Sequence, residues 1–174
     1  MLTIAQLREA ADAFAQEETP NWGLYTPTVR GRYEGVVKAK QRPRHNTKTG
    51  RAFTPAETRT CERNIAKWAK AEGFKAVTYP LAIRIEVIEP CPKNDERLIL
   101  LSLRGATYNQ KGDIDDYGKT ILDALNGVAF KDDKQICDLH ITRRYGRTPG
   151  FNIRIDRAGL NKSELINFRK MVGM

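Results

Sequence analysis

Five segments of the chain have the hydrophobic and β-branched residues that predict β-strands, and in one of them hydrophobic and polar residues alternate. The clearest segment is VTYPLAIRIEVIEP (77–90), which has a hydrophobic residue at every second position from Leu81 to Val87. The other four segments are TVRGRYEGVVKAK (28–40), RLILLSLRGATY (97–108), QICDLHITRRYG (135–146) and FNIRIDR (151–157). We expect 97–108 to form a β-hairpin with 77–90, because only a short turn separates them.

Four further segments have the 3.6-residue period of an amphipathic helix. Two of them lie at the ends of the chain, at 1–18 and 161–172. A third follows the sequence TPAE, where Thr54 is the expected N-cap, Pro55 the first helical residue and Glu57 the partner in a capping box. The fourth ends at an Asn-Gly pair, and its apolar stripe consists of Ile114, Tyr117, Ile121, Leu122 and Leu125.

Charge is distributed unevenly along the chain. There are 30 Lys and Arg against 21 Asp and Glu, a formal net charge of +9, and such an excess favours a polyanionic partner. Residues 30–70 hold twelve basic and three acidic side chains, whereas residues 113–138 hold seven acidic and three basic ones. The basic residues of 30–70 lie on a predicted strand, a loop and one face of a predicted helix. We therefore expect them to contact DNA phosphates rather than only solvent. The predicted DNA-binding residues are Lys38, Lys40, Arg42, Arg44, Arg51, Arg59 and Arg63.

The cysteines and histidines exclude a zinc motif. Three cysteines and two histidines are spread over the chain without a C-x-x-C pair. A metal site would therefore use oxygen ligands, which suit magnesium, calcium or manganese. The acidic first segment does not resemble a signal peptide, and no apolar run approaches the roughly 20 residues that cross a bilayer. We expect a cytoplasmic protein with reduced cysteines and no membrane partner.

The acidic segment GDIDDYGKTILDALNGVAFKDDKQ (112–135) admits more than one interpretation. In a purely structural one, Asp113 caps the following helix and the second acidic pair belongs to a turn. A calcium-binding EF-hand loop is excluded, because Tyr117 and Ala124 stand at positions five and twelve of the loop.

The third interpretation is a magnesium-dependent nuclease. Asp113 and Asp115 come from the start of a helix, and Asp132 and Asp133 come from the turn that enters a strand. If the helix packs on that strand, we expect the two groups to converge on one or two divalent ions, which activate water and offset charge on the phosphate. Lys119 lies one helical turn beyond Asp115, so its ammonium group is expected beside the metal.

The same segment, extended to Ile136, resembles the RusA family of Holliday junction resolvases, including its phage and prophage members. The shared pattern is two acids separated by one residue, a lysine four residues after the second acid, then DAL, an aromatic residue and DD before a strand. Upstream, KAKQRPRHNTKTGRAFTP (38–55) is similar to the basic strand, loop and helix start of phage-type members. The resemblance extends from about Val29 to Ile155.

The resemblance implies an α+β fold in which helices pack against a mixed β-sheet, with an extra N-terminal helix in this chain. The expected parts are an N-terminal helix and linker (1–28), a nuclease domain (29–157) and a C-terminal helical tail (158–174). Members of the family are homodimers that cut four-way junctions by paired symmetric nicks in recombination and repair. Their cleavage uses Mg²⁺, and Mn²⁺ is a possible substitute. Carried over to this chain, the catalytic residues are Asp113, Asp115, Asp133 and Lys119, and Asp132 joins the aspartates as a metal ligand.

Two features depart from the family pattern. Asp116 stands where the family usually has Asn, and the predicted strand at 97–108 is an insertion. Two other functions remain open at this point, namely a nuclease for flaps, forks or replication intermediates and a DNA-binding relative without catalytic activity.

Overall fold

The computed structural model describes residues 26–41, 44–45, 50, 52–91, 97 and 112–158. Its strands are β1 (Thr26–Glu34), β2 (Arg44–His45), β3 (Ala52–Phe53), β4 (Leu81–Pro90), β5 (Ile136–Gly146) and β6 (Gly150–Arg157), and its helices are α1 (Ala56–Ala71) and α2 (Ile114–Leu125). The predicted terminal helices, the predicted strand at 97–108 apart from Arg97, and the basic residues Arg42 and Arg51 lie outside the described residues, as does the side chain of Arg44. The expected hairpin of 97–108 with 77–90 is wrong, because β4 pairs with β5 on one side and with β6 on the other, and Arg97 is helical.

Four of the strands form one mixed sheet in the order β1-β6-β4-β5. The central strand β4 pairs in parallel with β5, where Ile85 faces Ile141, and antiparallel with β6, where Ile85 faces Ile153. The strand β1 pairs antiparallel with β6 on its other side. The predicted α+β fold with a mixed sheet is confirmed. A short β2–β3 hairpin lies apart from this sheet.

The two helices cover one face of the sheet, and the core lies between them. Ile65 of α1 and Ile121 of α2 are fully buried together with Ile83 and Ile85 of β4. Aromatic rings close the side of the core near β1, where Trp68 packs edge-on against Phe151 with ring centroids 5.4 Å apart. No helix in the described part of the chain is long and apolar enough to cross a bilayer.

Helix α1 has the predicted buried stripe but a different start. Cys61, Ile65 and Ala69 are buried, as expected from their spacing. The helix begins at Ala56 with Pro55 as its N-cap, and no side chain caps it by a hydrogen bond. The prediction of a capping box at Thr54 is therefore wrong, because Thr54 lies one residue too early to reach the amide groups of the first turn.

Helix α2 runs antiparallel to β5, and this orientation positions the acidic residues. Gly118 lies against Ile141, where a built Cβ would be 2.3 Å from Ile141 Cδ1. Nearer the start of the helix, Arg143 Nη1 donates a hydrogen bond of 2.8 Å to the carbonyl of Gly112. The acidic start of α2 therefore lies beside the second half of β5, and the end of α2 lies beside its beginning.

Candidate metal centre and basic surface

Three aspartates converge at the start of α2. Carboxylate oxygens of Asp113, Asp115 and Asp116 lie within 4.8 Å of one another. Asp113 and Asp115 are exposed, and Asp116 is half-buried. Oxygen ligands at this spacing fit a hard cation such as Mg²⁺, which binds through one or two carboxylates and keeps several waters. Because the cluster opens to solvent, a hydrated ion can reach it.

Asp113 does not use its carboxylate as a helix cap. It occupies the N-cap position of α2 with extended backbone angles, yet its side chain makes no capping hydrogen bond. The amide of Asp116 instead donates to the backbone carbonyl of Asp113 over 3.1 Å. The capping interpretation therefore leaves the position of this carboxylate unexplained.

Lys119 lies beside the acidic cluster, as its spacing predicts. Its Nζ is 2.7 Å from Asp115 Oδ2 and 3.6 Å from Asp116 Oδ1. The hydrogen bond from Lys119 holds the pKa of Asp115 below its usual value, and the same contact raises the pKa of Lys119. Both groups are thus charged at neutral pH, and the ammonium group partly neutralises the cluster.

The second acidic pair lies in a rigid turn before β5. Asp132 Oδ1 accepts a hydrogen bond of 3.0 Å from the amide of Lys134, which lowers the pKa of Asp132. Gln135 closes the turn by accepting from the amide of Asp132 and by donating to the carbonyls of residues 77 and 79. Asp132 therefore has a structural role in the turn, whereas Asp133 is exposed and is the first residue of the short 3₁₀ helix Asp133–Gln135.

The expected meeting of the two acidic groups does not occur within one chain. Asp132 and Asp133 are not members of the group of three converging carboxylates. Seven residues of β5, at about 3.3 Å each, separate Ile136 near the turn from Arg143 near the cluster, which places the two groups roughly 20 Å apart. The helix does pack on the strand, as predicted, but its antiparallel direction puts its acidic start at the far end.

The predicted DNA-binding residues that the structure describes fall into two classes. Lys38, Arg59 and Arg63 are exposed, the last two on α1. Lys40 instead forms ion pairs with Glu62 of α1 and, over 2.6 Å, with Asp123 of α2. Lys40 thus joins the two helices, and the structure explains it without reference to DNA.

Two contacts that hold the acidic end of α2 have no signal in the sequence. The amide of Lys40 donates to the carbonyl of Asp116 over 2.9 Å, and Arg143 donates to the carbonyl of Gly112. Both join residues that are distant in sequence, and both acceptors are backbone atoms. Spacing and residue type therefore do not reveal them.

Comparisons with known proteins identify similar sequences. A family model described as Endodeoxyribonuclease RusA matches residues 34–156, which is well over half of the chain. An uncharacterized protein of Bacillus subtilis (strain 168), YqaN, is 29% identical over 131 residues, which cover 70% of this chain and 90% of that protein. The family match includes both acidic groups, Lys119 and both described helices.

Proposed function

The chain belongs to the RusA endodeoxyribonuclease family, and from this premise we propose that it is a magnesium-dependent endonuclease that resolves four-way DNA junctions by paired symmetric nicks. Manganese is the expected substitute ion. The observation that carries the proposal is the convergence of Asp113, Asp115 and Asp116 beside Lys119, within the part of the chain that the family model matches.

Two aspartates of the cluster and the neighbouring lysine have definite roles in the proposed reaction. Asp113 and Asp115 would hold a divalent ion, which when bound supplies an activated water and offsets charge on the phosphate. Lys119 is exposed, so its side chain has room to leave Asp115 when the ion arrives. Its ammonium group then lies close enough to stabilise the negative charge that develops on the phosphate, or to orient the attacking water.

Asp133 enters the site through a second subunit. In one chain it lies roughly 20 Å from the cluster, given the rise of about 3.3 Å per strand residue. A two-fold pairing that brings the turn of one subunit to the α2 start of its partner would complete two identical sites. Two related sites also suit the paired nicks that a two-fold symmetric junction requires. The separation of the acidic groups thus supports a homodimer as the active form.

The DNA lies, in this proposal, along the basic surface formed by Lys38, Arg59 and Arg63. These side chains are exposed; Arg59 and Arg63 belong to α1, and the amide of Lys38 donates to Cys61 Sγ of the same helix. Contacts of this type bind phosphates and carry little sequence information, so binding should depend on salt and on the shape of the junction.

A cleavage assay on a labelled mobile four-way junction tests the proposal. The assay is run with Mg²⁺, Mn²⁺, Ca²⁺ and chelator in parallel. We expect paired symmetric nicks with Mg²⁺ and Mn²⁺, and no nicks with chelator. Asp115→Asn and Asp133→Asn should abolish nicking while junction binding stays at least as tight, because each removes a charge that repels phosphate. Glu72→Gln, which removes an exposed acid at the end of α1, is the matched control and should cut normally.

The other outcomes separate the alternatives. Undiminished cutting by either asparagine variant would refute the assigned mechanism. Junction binding without nicking in any metal would identify a DNA-binding relative without catalytic activity. Cuts in a forked duplex but not in the four-way junction would identify a nuclease for flaps or replication forks.

A further inference from the structure

Arg143 of β5 reaches the acidic end of α2 through a backbone carbonyl. Its Nη1 donates to the carbonyl of Gly112 over 2.8 Å. The guanidinium carbon lies 5.5 Å from the centroid of the Tyr117 ring, and Nε is buried and has no hydrogen-bond partner among the described residues. The guanidinium group is therefore held between the strand and the helix, and one of its N–H groups is used to fix a backbone carbonyl.

The carbonyl that Arg143 holds belongs to the residue just before the acidic cluster. Gly112 has a positive φ of 88°, which favours glycine. A Cβ at this position would lie 2.7 Å from the Cβ of Ala39, so the turn is already close to the segment that follows β1. On that side the amide of Lys40 also donates to the carbonyl of Asp116. The backbone from Gly112 to Asp116 is thus fixed from two sides. Ala39 and Lys40 contact it on one side, and Arg143 contacts it on the other side.

We propose that Arg143 is a positioning residue for the metal site. It fixes the backbone from which Asp113 and Asp115 project, and so sets the affinity of the cluster for the divalent ion. This inference rests on the proposed function, because it assumes that the cluster binds a metal. Removing a group that orients a metal ligand without touching the metal typically weakens metal affinity by about 10- to 100-fold.

The affinity of the DNA-free protein for Mn²⁺ tests this role without reference to cleavage. Free Mn²⁺ is measured by electron paramagnetic resonance during a titration with MnCl₂. Arg143→Gln should bind Mn²⁺ about tenfold more weakly than the wild type. Arg144→Gln is the matched control, because Arg144 is the neighbouring residue and pairs with Glu86, with Nε 2.7 Å from Oε1, away from the cluster. Its Mn²⁺ affinity should be unchanged.

Cleavage kinetics give a second signature. With Arg143→Gln, the Mg²⁺ concentration for half-maximal nicking should rise by a similar factor, while the rate at saturating Mg²⁺ stays close to that of the wild type. Gly112→Ala keeps Arg143 but displaces the same turn through the contact with Ala39, and it should weaken Mn²⁺ binding in the same way. If Arg143→Gln does not fold, Arg143→Lys decides the matter, because lysine keeps the charge and loses the fixed planar contact.

The outcomes distinguish this inference from the proposed function. Suppose that Asp115→Asn weakens Mn²⁺ binding but the Arg143 variant (Gln, or Lys if the Gln variant does not fold) binds Mn²⁺ as tightly as the wild type. The role of Arg143 is then refuted, and the metal site stands. If Asp115→Asn binds Mn²⁺ as tightly as the wild type, the metal site itself is refuted, and the role of Arg143 with it.

Discussion

Replacing Gly118 by alanine tests the close packing of α2 on β5, which orients the acidic cluster. The added Cβ would lie 2.3 Å from Ile141 Cδ1, whereas the next atom, Ile141 Cγ1, is 3.6 Å away. Ordinary carbon–carbon contacts are about 3.5–4.0 Å, so the overlap involves one methyl group. Ile141 Cδ1 is the end of a flexible side chain and can move aside, so overpacking here should cost only about 1 kcal/mol, the low end of its usual range. Alanine in place of glycine within a helix returns about 1 kcal/mol. We therefore expect Gly118→Ala to change the unfolding free energy by less than about 1 kcal/mol.

A double-mutant cycle isolates the contact. Ile141→Val removes the Cδ1 methyl and alone should cost about 0.5–1.5 kcal/mol. In the double variant the overlap is gone and the helix propensity remains, so it should be more stable than the sum of the single changes by about 1 kcal/mol. Urea unfolding measures all four proteins. A Gly118→Ala variant that is more stable than the wild type by about 1 kcal/mol, with additive behaviour in the cycle, would refute the close packing.

Three further predictions follow from single side chains. Lys119→Ala should slow single-turnover nicking and leave the junction dissociation constant unchanged. A wild-type rate would show that Lys119 only forms a surface ion pair with Asp115. Asp132→Ala removes the cap on the amide of Lys134 and should lower the unfolding free energy. Asp133→Ala should leave stability unchanged, so equal losses for the two variants would contradict the separate roles. Arg63→Gln should reduce the slope of log affinity against log salt by about 0.9, and an unchanged slope would show that Arg63 contacts no phosphate.

Local patterns in the sequence predict the elements of this fold well. The alternation in 77–90 places Leu81, Ile83, Ile85 and Val87 on the buried face of β4, and all four are buried. The stripe that begins at Ile114 predicts α2, which ends at Leu125 just before the Asn-Gly pair. Periodicity succeeds here because each element buries one face against the same core.

The relative placement of these elements is not contained in local patterns. The parallel pairing of β4 with β5 and the position of β6 between β1 and β4 depend on which surfaces pack together over the whole chain. The direction of α2 along β5 decides where the acidic groups lie, so the sequence order alone does not tell whether they meet within one chain or across two subunits. Lys40 shows the same limit, because its partners Glu62 and Asp123 are brought together only by the packing of α1 on α2.

The most direct test of the proposed mechanism mixes two inactive subunits. Asp115→Asn and Asp133→Asn proteins are combined, exchanged by mild denaturation and renaturation, and assayed on the four-way junction with Mg²⁺. If each site takes its cluster from one subunit and Asp133 from the other, every mixed dimer contains one intact site, and random exchange should restore about a quarter of the wild-type sites. A mixture of wild-type and Asp115→Asn protein controls for exchange, because exchange lowers the fraction of dimers with two intact sites, and with it paired nicking, from about a half to about a quarter. Nicking that returns in the mixture supports the shared site, and a mixture that exchanges subunits but stays inactive would contradict it.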